Sequence, residues 1–168
     1  MIYVCSLSRL AETVERSGAR HVVTLINEGT PVERPAVVTL DNHLRIGIND
    51  IIEAADGMVL AGAPHVETLL GFVQRWDRSA PLVIHCYAGI SRSTAAAFVT
   101  ACALAPHREE RALAEALRRA SPTATPNARL VRLADDHLRR EGRMVRAIEG
   151  IGRGAFAAEG EPFVLALD

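Results

Sequence analysis

The chain has 168 residues, 49% of them apolar and 23% charged, with a formal net charge of −1, which is the make-up of one folded domain with a sizeable core. The near-zero charge excludes nucleic acid and an anionic membrane as expected partners, and no apolar run is long enough to span a bilayer. All 19 basic side chains are arginine, so a lysine-bearing nucleotide-binding loop and a Schiff-base enzyme are excluded as well.

In chain order, Met1–Cys5 reads as a short edge strand, and the stretch from Ser8 to Val14 has helical spacing with Ser8 placed as an N-cap. His21–Ile26 is apolar and β-branched between Gly18 and Gly29, the pattern of a central strand. A proline-punctuated loop, Thr30–Pro35, follows, and then two candidate strands, Val37–Leu40 and His43–Ile48, separated by Asp41-Asn42. From Pro64, the residues Val66, Leu69, Leu70, Val73 and Trp76 define one apolar helical face.

Pro81–Ile84 predicts a buried strand and Thr94–Leu104 a helix that is apolar on nearly all sides, hence buried. Arg108–Ala120 reads as a surface helix, and Thr125-Pro126 as the cap of another that turns Leu130, Leu133, Ala134 and Leu138 inward. Gly142 ends or weakens that helix. Gly150, Gly152 and Gly154 predict a flexible stretch before Phe163–Leu167, a final strand or a frayed tail. Strands alternating with helices predict an α/β fold: a single domain over residues 1–149 with a central, largely parallel sheet flanked by helices, and a glycine-containing C-terminal tail over 150–168.

The most informative stretch joins the strand to the buried helix: His85-Cys86-Tyr87-Ala88-Gly89-Ile90-Ser91-Arg92-Ser93. A loop between a strand end and a helix start turns several N–H groups, and the positive end of the helix dipole, toward one point. An anion is expected there, with a thiolate held beside it. Gly89 allows positive φ in the tight turn. Arg92 can hold two oxygens of one anion through its planar fork.

This stretch resembles the signature loop of the protein tyrosine phosphatase superfamily, the cysteine-dependent phosphatases. The match covers the diagnostic positions His85, Cys86, Arg92 and Ser93. The resemblance implies a phosphomonoester hydrolase of the dual-specificity-like branch, acting on a phosphorylated protein or small phosphoester through a phosphocysteine on Cys86. Arg92 and the loop N–H groups of Tyr87, Ala88, Gly89, Ile90, Ser91 and Arg92 itself would clamp the phosphoryl oxygens. Ser93 would hydrogen-bond the thiolate, and His85 would orient the loop.

The general acid belongs upstream, with Asp41, Asp50 and Asp56 as candidates. The segment Ile46–Ile51 resembles the branch's acid-bearing strand end, which selects Asp50. Asn127 stands in a stretch similar to the branch's Pro-Asn helix start. The resemblance spans residues 44–138 and leaves both flanks unsupported.

Two further readings share the Cys–Arg spacing: a non-catalytic phosphate-binding module, and a thiol enzyme of the rhodanese or arsenate-reductase kind. The presence of nucleophile, clamp and candidate acid together disfavours the first, and His85 and Ser93 favour the phosphatase over the second. No cofactor or metal is expected. Asp135-Asp136-His137 are consecutive on a helix and diverge, so they make a poor ligand set. Cys5 and Cys102 read as core thiols. Three widely spaced cysteines and an N-terminus without a basic region or cleavage site predict a reducing, cytoplasmic setting.

Overall fold

A computed structural model describes residues 1–167. Five strands, β1 (Ile2–Ser6), β2 (His21–Ile26), β3 (His43–Gly47), β4 (Leu82–Cys86) and β5 (Phe163–Leu165), form one sheet in the order β3-β2-β4-β1-β5. The first four run parallel, and β5 lies antiparallel against β1. Six helices surround the sheet: α1 (Leu10–Ser17), α2 (Ala63–Arg75), α3 (Arg92–Leu104), α4 (Glu110–Ala120), α5 (Ala128–His137) and α6 (Arg143–Ile151). No helix among the described residues is long and apolar enough to cross a membrane.

Alternation along the strands divides the core in two. Ile2 and Val4, Val23 and Leu25, and Leu82 and Ile84 turn to one face, where they pack with α2 through α6. Val22, Val83 and Cys5 turn to the other, against Leu10 and Val14 of α1 and Val38. Both faces are covered, so the parallel strands read as continuous apolar runs. At the centre lies α3, buried from Arg92 to Cys102. Its alanines, Ala95, Ala96, Ala97 and Ala101, let the helix sit close to the sheet.

Several local expectations need correction. The strand at the N-terminus is not an edge, because β5 covers it. Val37–Leu40 forms no strand: Val38 N donates to Pro35 O in a turn, and its side chain serves as a plug beneath α1. Ser8 does not cap α1. Arg9 holds that position without a side-chain bond, and the Ser8 hydroxyl goes to Ser6 and Glu159. Asn127, rather than Thr125-Pro126, caps α5, its Oδ1 accepting from Arg129 N at 3.2 Å and Leu130 N at 3.1 Å.

Gly142 neither ends nor weakens α5. It is the left-handed N-cap of α6, a helix the glycine pattern concealed. The N-terminal N–H groups of α6 are satisfied from another element. The Asp135 carboxylate, 2% exposed, accepts from Gly142 N at 2.6 Å and Met144 N at 2.7 Å. That carboxylate complements the positive end of the helix.

Candidate active site

Beyond the carboxyl end of β4 the chain turns through Tyr87–Ser91 into α3, and Cys86 lies at the floor of a cleft of about 490 Å³. The same cleft is lined by Asn27, Thr30, Asp50, Tyr87, Ile90 and Arg92. Crevices outside the carboxyl ends of parallel strands are where α/β sheets bind ligands.

The loop's inward N–H groups follow from where its carbonyls go. Tyr87 O accepts from Leu7 N (3.1 Å), Ala88 O from Gly160 N (2.8 Å), Ile90 O from Thr125 N (2.9 Å) and Ser91 O from Asn127 N (3.2 Å). Each bond turns a carbonyl outward, and planarity of the peptide then turns the N–H on its opposite edge inward. Gly89 N donates to Cys86 Sγ at 3.3 Å, and Ser93 Oγ lies 3.1 Å from the same sulfur. Gly89 has φ of 73°, and a Cβ there would stand 2.8 Å from the backbone of Cys5 and Ser6. Conformation and close approach to β1 both require glycine at this position.

Arg92 is 6% exposed and aimed by two carbonyl oxygens. Its Nη1 donates to Asn27 Oδ1 at 2.7 Å and to Ile48 O at 2.8 Å. Its Nε is buried without any protein partner. A buried donor left unpaired in a cleft is the signature of a group held ready for a ligand oxygen.

Asp50 reaches the same cleft, while Asp41 and Asp56 are exposed in turns away from it. Asp50 Oδ1 accepts from Ser91 Oγ at 2.7 Å and Asn127 Nδ2 at 2.9 Å, which leaves Oδ2 for a proton. Asn127 therefore caps α5 with its oxygen and braces Asp50 with its nitrogen.

His85 is fully buried and does not face the cleft. Its Nδ1 stands 3.4 Å from Cys86 O, a pure acceptor, so the proton of the neutral ring is on Nδ1. Its Nε2 then accepts from Thr24 Oγ1 at 2.7 Å, and Thr24 Oγ1 accepts from His43 Nε2 at 2.8 Å. Hydrogen bonds thus run in one direction from a half-buried histidine on β3 to the carbonyl of Cys86. Burial pushes the His85 pKa down to about 4, against the opposing bond to Cys86 O, so the ring is neutral at physiological pH.

Burial likewise pushes the thiols of Cys5 and Cys102 up to about 12. Asp135, read in sequence as one of three adjacent polar residues, serves α6. Among the described residues no cluster of His, Cys, Asp or Glu is placed to hold a metal ion.

Sequence reasoning missed Asn27, Thr24 and His43, and the wall that Ala157 and Ala158 supply from the C-terminal segment. Asn27 carries a usable signal, as it directly follows the carboxyl end of β2. Thr24 and His43 carry none, because their role depends on strand register.

The fold is similar to that of solved dual-specificity and related phosphatases. Its similarity extends over 94% of this chain and 94% of the crystal structure of DUSP15, with a TM-score of 0.64 and 18% identity. The PTP-2 phosphatase of Cydia pomonella gives a TM-score of 0.63 at 19% identity, over 80% of this chain and 84% of that one. The Yvh1 phosphatase domain of Chaetomium thermophilum gives 0.62 at 21% identity, over 85% and 93%. No protein-family model and no curated protein matches the sequence.

Proposed function

We propose that the protein is a cysteine-dependent phosphomonoester hydrolase acting on phosphotyrosine or on phosphotyrosine and phosphoserine/threonine alike. The observation that carries this reading is the unpaired, buried Nε of Arg92, a residue that lines the same cleft as Cys86. A phosphoryl group would complete the fork of the arginine and accept the loop N–H groups.

Cys86 Sγ attacks phosphorus and the ester oxygen leaves, protonated by Asp50 through Oδ2. The products are a phosphocysteine and the free alcohol. Asp50, now a carboxylate, takes a proton from water as that water attacks phosphorus, and the thiolate departs toward Ser93 Oγ. Asn27 and Ile48 O aim Arg92, and Asn127 and Ser91 aim Asp50. No step calls for a metal or cofactor.

Cys86→Ser tests the reading. The swap is nearly isosteric, so the melting temperature should hold while turnover of an aryl phosphate vanishes. Wild-type turnover that persists in this variant would exclude the mechanism. Binding of phosphate esters by the wild type without turnover would favour the non-catalytic module.

A further inference from the structure

Between α6 and β5 the chain crosses the mouth of the active cleft, and it is fastened on both sides. On one side Gly154 N donates to Thr125 Oγ1 at 3.1 Å and Ala155 N to Pro122 O at 2.9 Å. On the other, Gly160 N donates to Ala88 O at 2.8 Å, and the Glu159 carboxylate accepts from the Ser6 and Ser8 hydroxyls. The fastening is close. A Cβ at Gly154 would lie 2.5 Å from the carbonyl of Thr123, and one at Gly160 would lie 2.9 Å from Gly89 O.

The span held between these anchors is Phe156-Ala157-Ala158. Ala157 and Ala158 line the cleft together with Cys86 and Arg92. Phe156, beside them, is 97% exposed. A phenyl ring left wholly in water on an anchored span has a stacking face and no protein partner.

The rest of the cleft restricts what can meet that ring. Arg92 is the single cation among its lining residues, and the remainder is Asp50, neutral polar groups and the apolar surface of Tyr87, Ala88, Ile90, Ala157 and Ala158. One cation suits one phosphate, and a polyphosphorylated ligand would find no further countercharge. Tyr87 is the one aromatic residue lining the cleft itself, and no aromatic residue falls between Tyr3 and Phe72, so the connection that carries Asp50 offers no ring for a substrate to stack on.

We infer that the span 154–160 is a substrate-recognition strap, and that Phe156 packs against the aryl ring of a phosphotyrosine whose phosphate sits on Arg92. The inference rests on the phosphatase reading of that same cleft and narrows it to aryl esters. An offset pair of aromatic rings accounts for a preference of about five- to tenfold.

The test is made twice, by turnover and by binding. Phe156→Ala should leave the melting temperature unchanged, since the ring packs on nothing. It should lower the ratio of kcat/KM for phosphotyrosine over phosphoserine peptides about five- to tenfold, through KM, and phenyl phosphate should lose as much as the phosphotyrosine peptide. Phe156→Trp should restore the ratio.

Calorimetric binding of the same phosphopeptides to Cys86→Ser protein, with and without Phe156→Ala, repeats the comparison independently of chemistry. An unchanged ratio in both measurements overturns the strap assignment and leaves the phosphatase reading standing. A loss confined to peptides, with phenyl phosphate unaffected, also overturns it, because the ring would then be meeting flanking residues. Failure of wild-type turnover with the binding preference intact overturns the phosphatase reading alone.

Discussion

The two halves of the cleft are held in different ways. The signature loop is organised by its backbone: four outward carbonyls are bonded to distant N–H groups, a glycine is pressed on β1, and α3 starts at Arg92. Asp50 stands instead on a long irregular connection between β3 and α2, and its carboxylate is fixed by two side chains, Ser91 and Asn127. An anion cradle must hold fixed dipoles in place before its ligand arrives, and backbone does this well. A group that gives up and regains a proton is better served by neighbours that can readjust. Changes to the loop should therefore affect every substrate, whereas changes around Asp50 should depend on the leaving group.

The largest effect is expected from Arg92→Lys. Charge is kept but the fork is lost, and so are the bonds to Asn27 and Ile48 that aim it. A cost on the order of 3 kcal/mol or more, over a hundredfold in kcat/KM, should apply to good and poor leaving groups equally. Steady-state kinetics on an aryl and an alkyl phosphate would check this, and near-normal kcat/KM would remove Arg92 from the mechanism.

Asp50→Asn should lower kcat about a hundredfold with an alkyl ester, the low end for a positioned acid, and much less with an activated aryl ester. Asp56→Asn, in an exposed turn, is the control. A leaving-group-dependent loss in that variant rather than in Asp50→Asn would place the acid elsewhere on the connection.

Asn127→Ala separates bracing from capping. Loss of the cap should destabilise by about 1 kcal/mol, read as a lowered melting temperature. Loss of the brace should lower kcat roughly tenfold on poor leaving groups, the worth of a bond to a carboxylate. Asn127→Asp keeps an oxygen for the cap but sets a carboxylate beside Asp50. If stability recovers in it and kcat does not, the two roles are distinct.

The effect expected to leave turnover least changed lies behind the loop and acts on stability. His85 takes its proton near pH 4 when folded and near 6.5 when unfolded. Between those values the unfolded chain binds the extra proton, so stability rises with pH across the window and is lost as pH falls through it. The contribution is at most about 3 kcal/mol. Denaturant titrations of wild type and His85→Gln between pH 4 and 7 should differ in slope, and parallel curves would show the ring is not shielded.

The loop was legible because its function is local: cysteine, glycine and arginine stand within one turn of chain, and the physics that positions them is that of a strand running into a helix. Asp50 was legible only through likeness to a known strand end. The supports were not. Asn27, Thr24 and His43 act through strand register, which no local pattern encodes. The α6 helix was hidden because its cap is Asp135, supplied by α5, while its own sequence offers glycines at both ends. Val37–Leu40 misled in the opposite sense, since its β-branched run folds into turns that bury Val38 against α1.

The four outward carbonyls of the signature loop also bear on how the protein comes into being. Their donors lie just after β1, just before β5 and in the segment before α5. Leu7 leaves the ribosome before the loop, but Thr125, Asn127 and Gly160 follow it, so a nascent chain holding His85–Ser93 complete still lacks a set cradle. The loop around Cys86 should gain its full set of carbonyl partners only when the segment that carries Gly160 docks. Contacts this remote in sequence are slow to form, and the cradle is thereby left open until the rest of the sheet is in place.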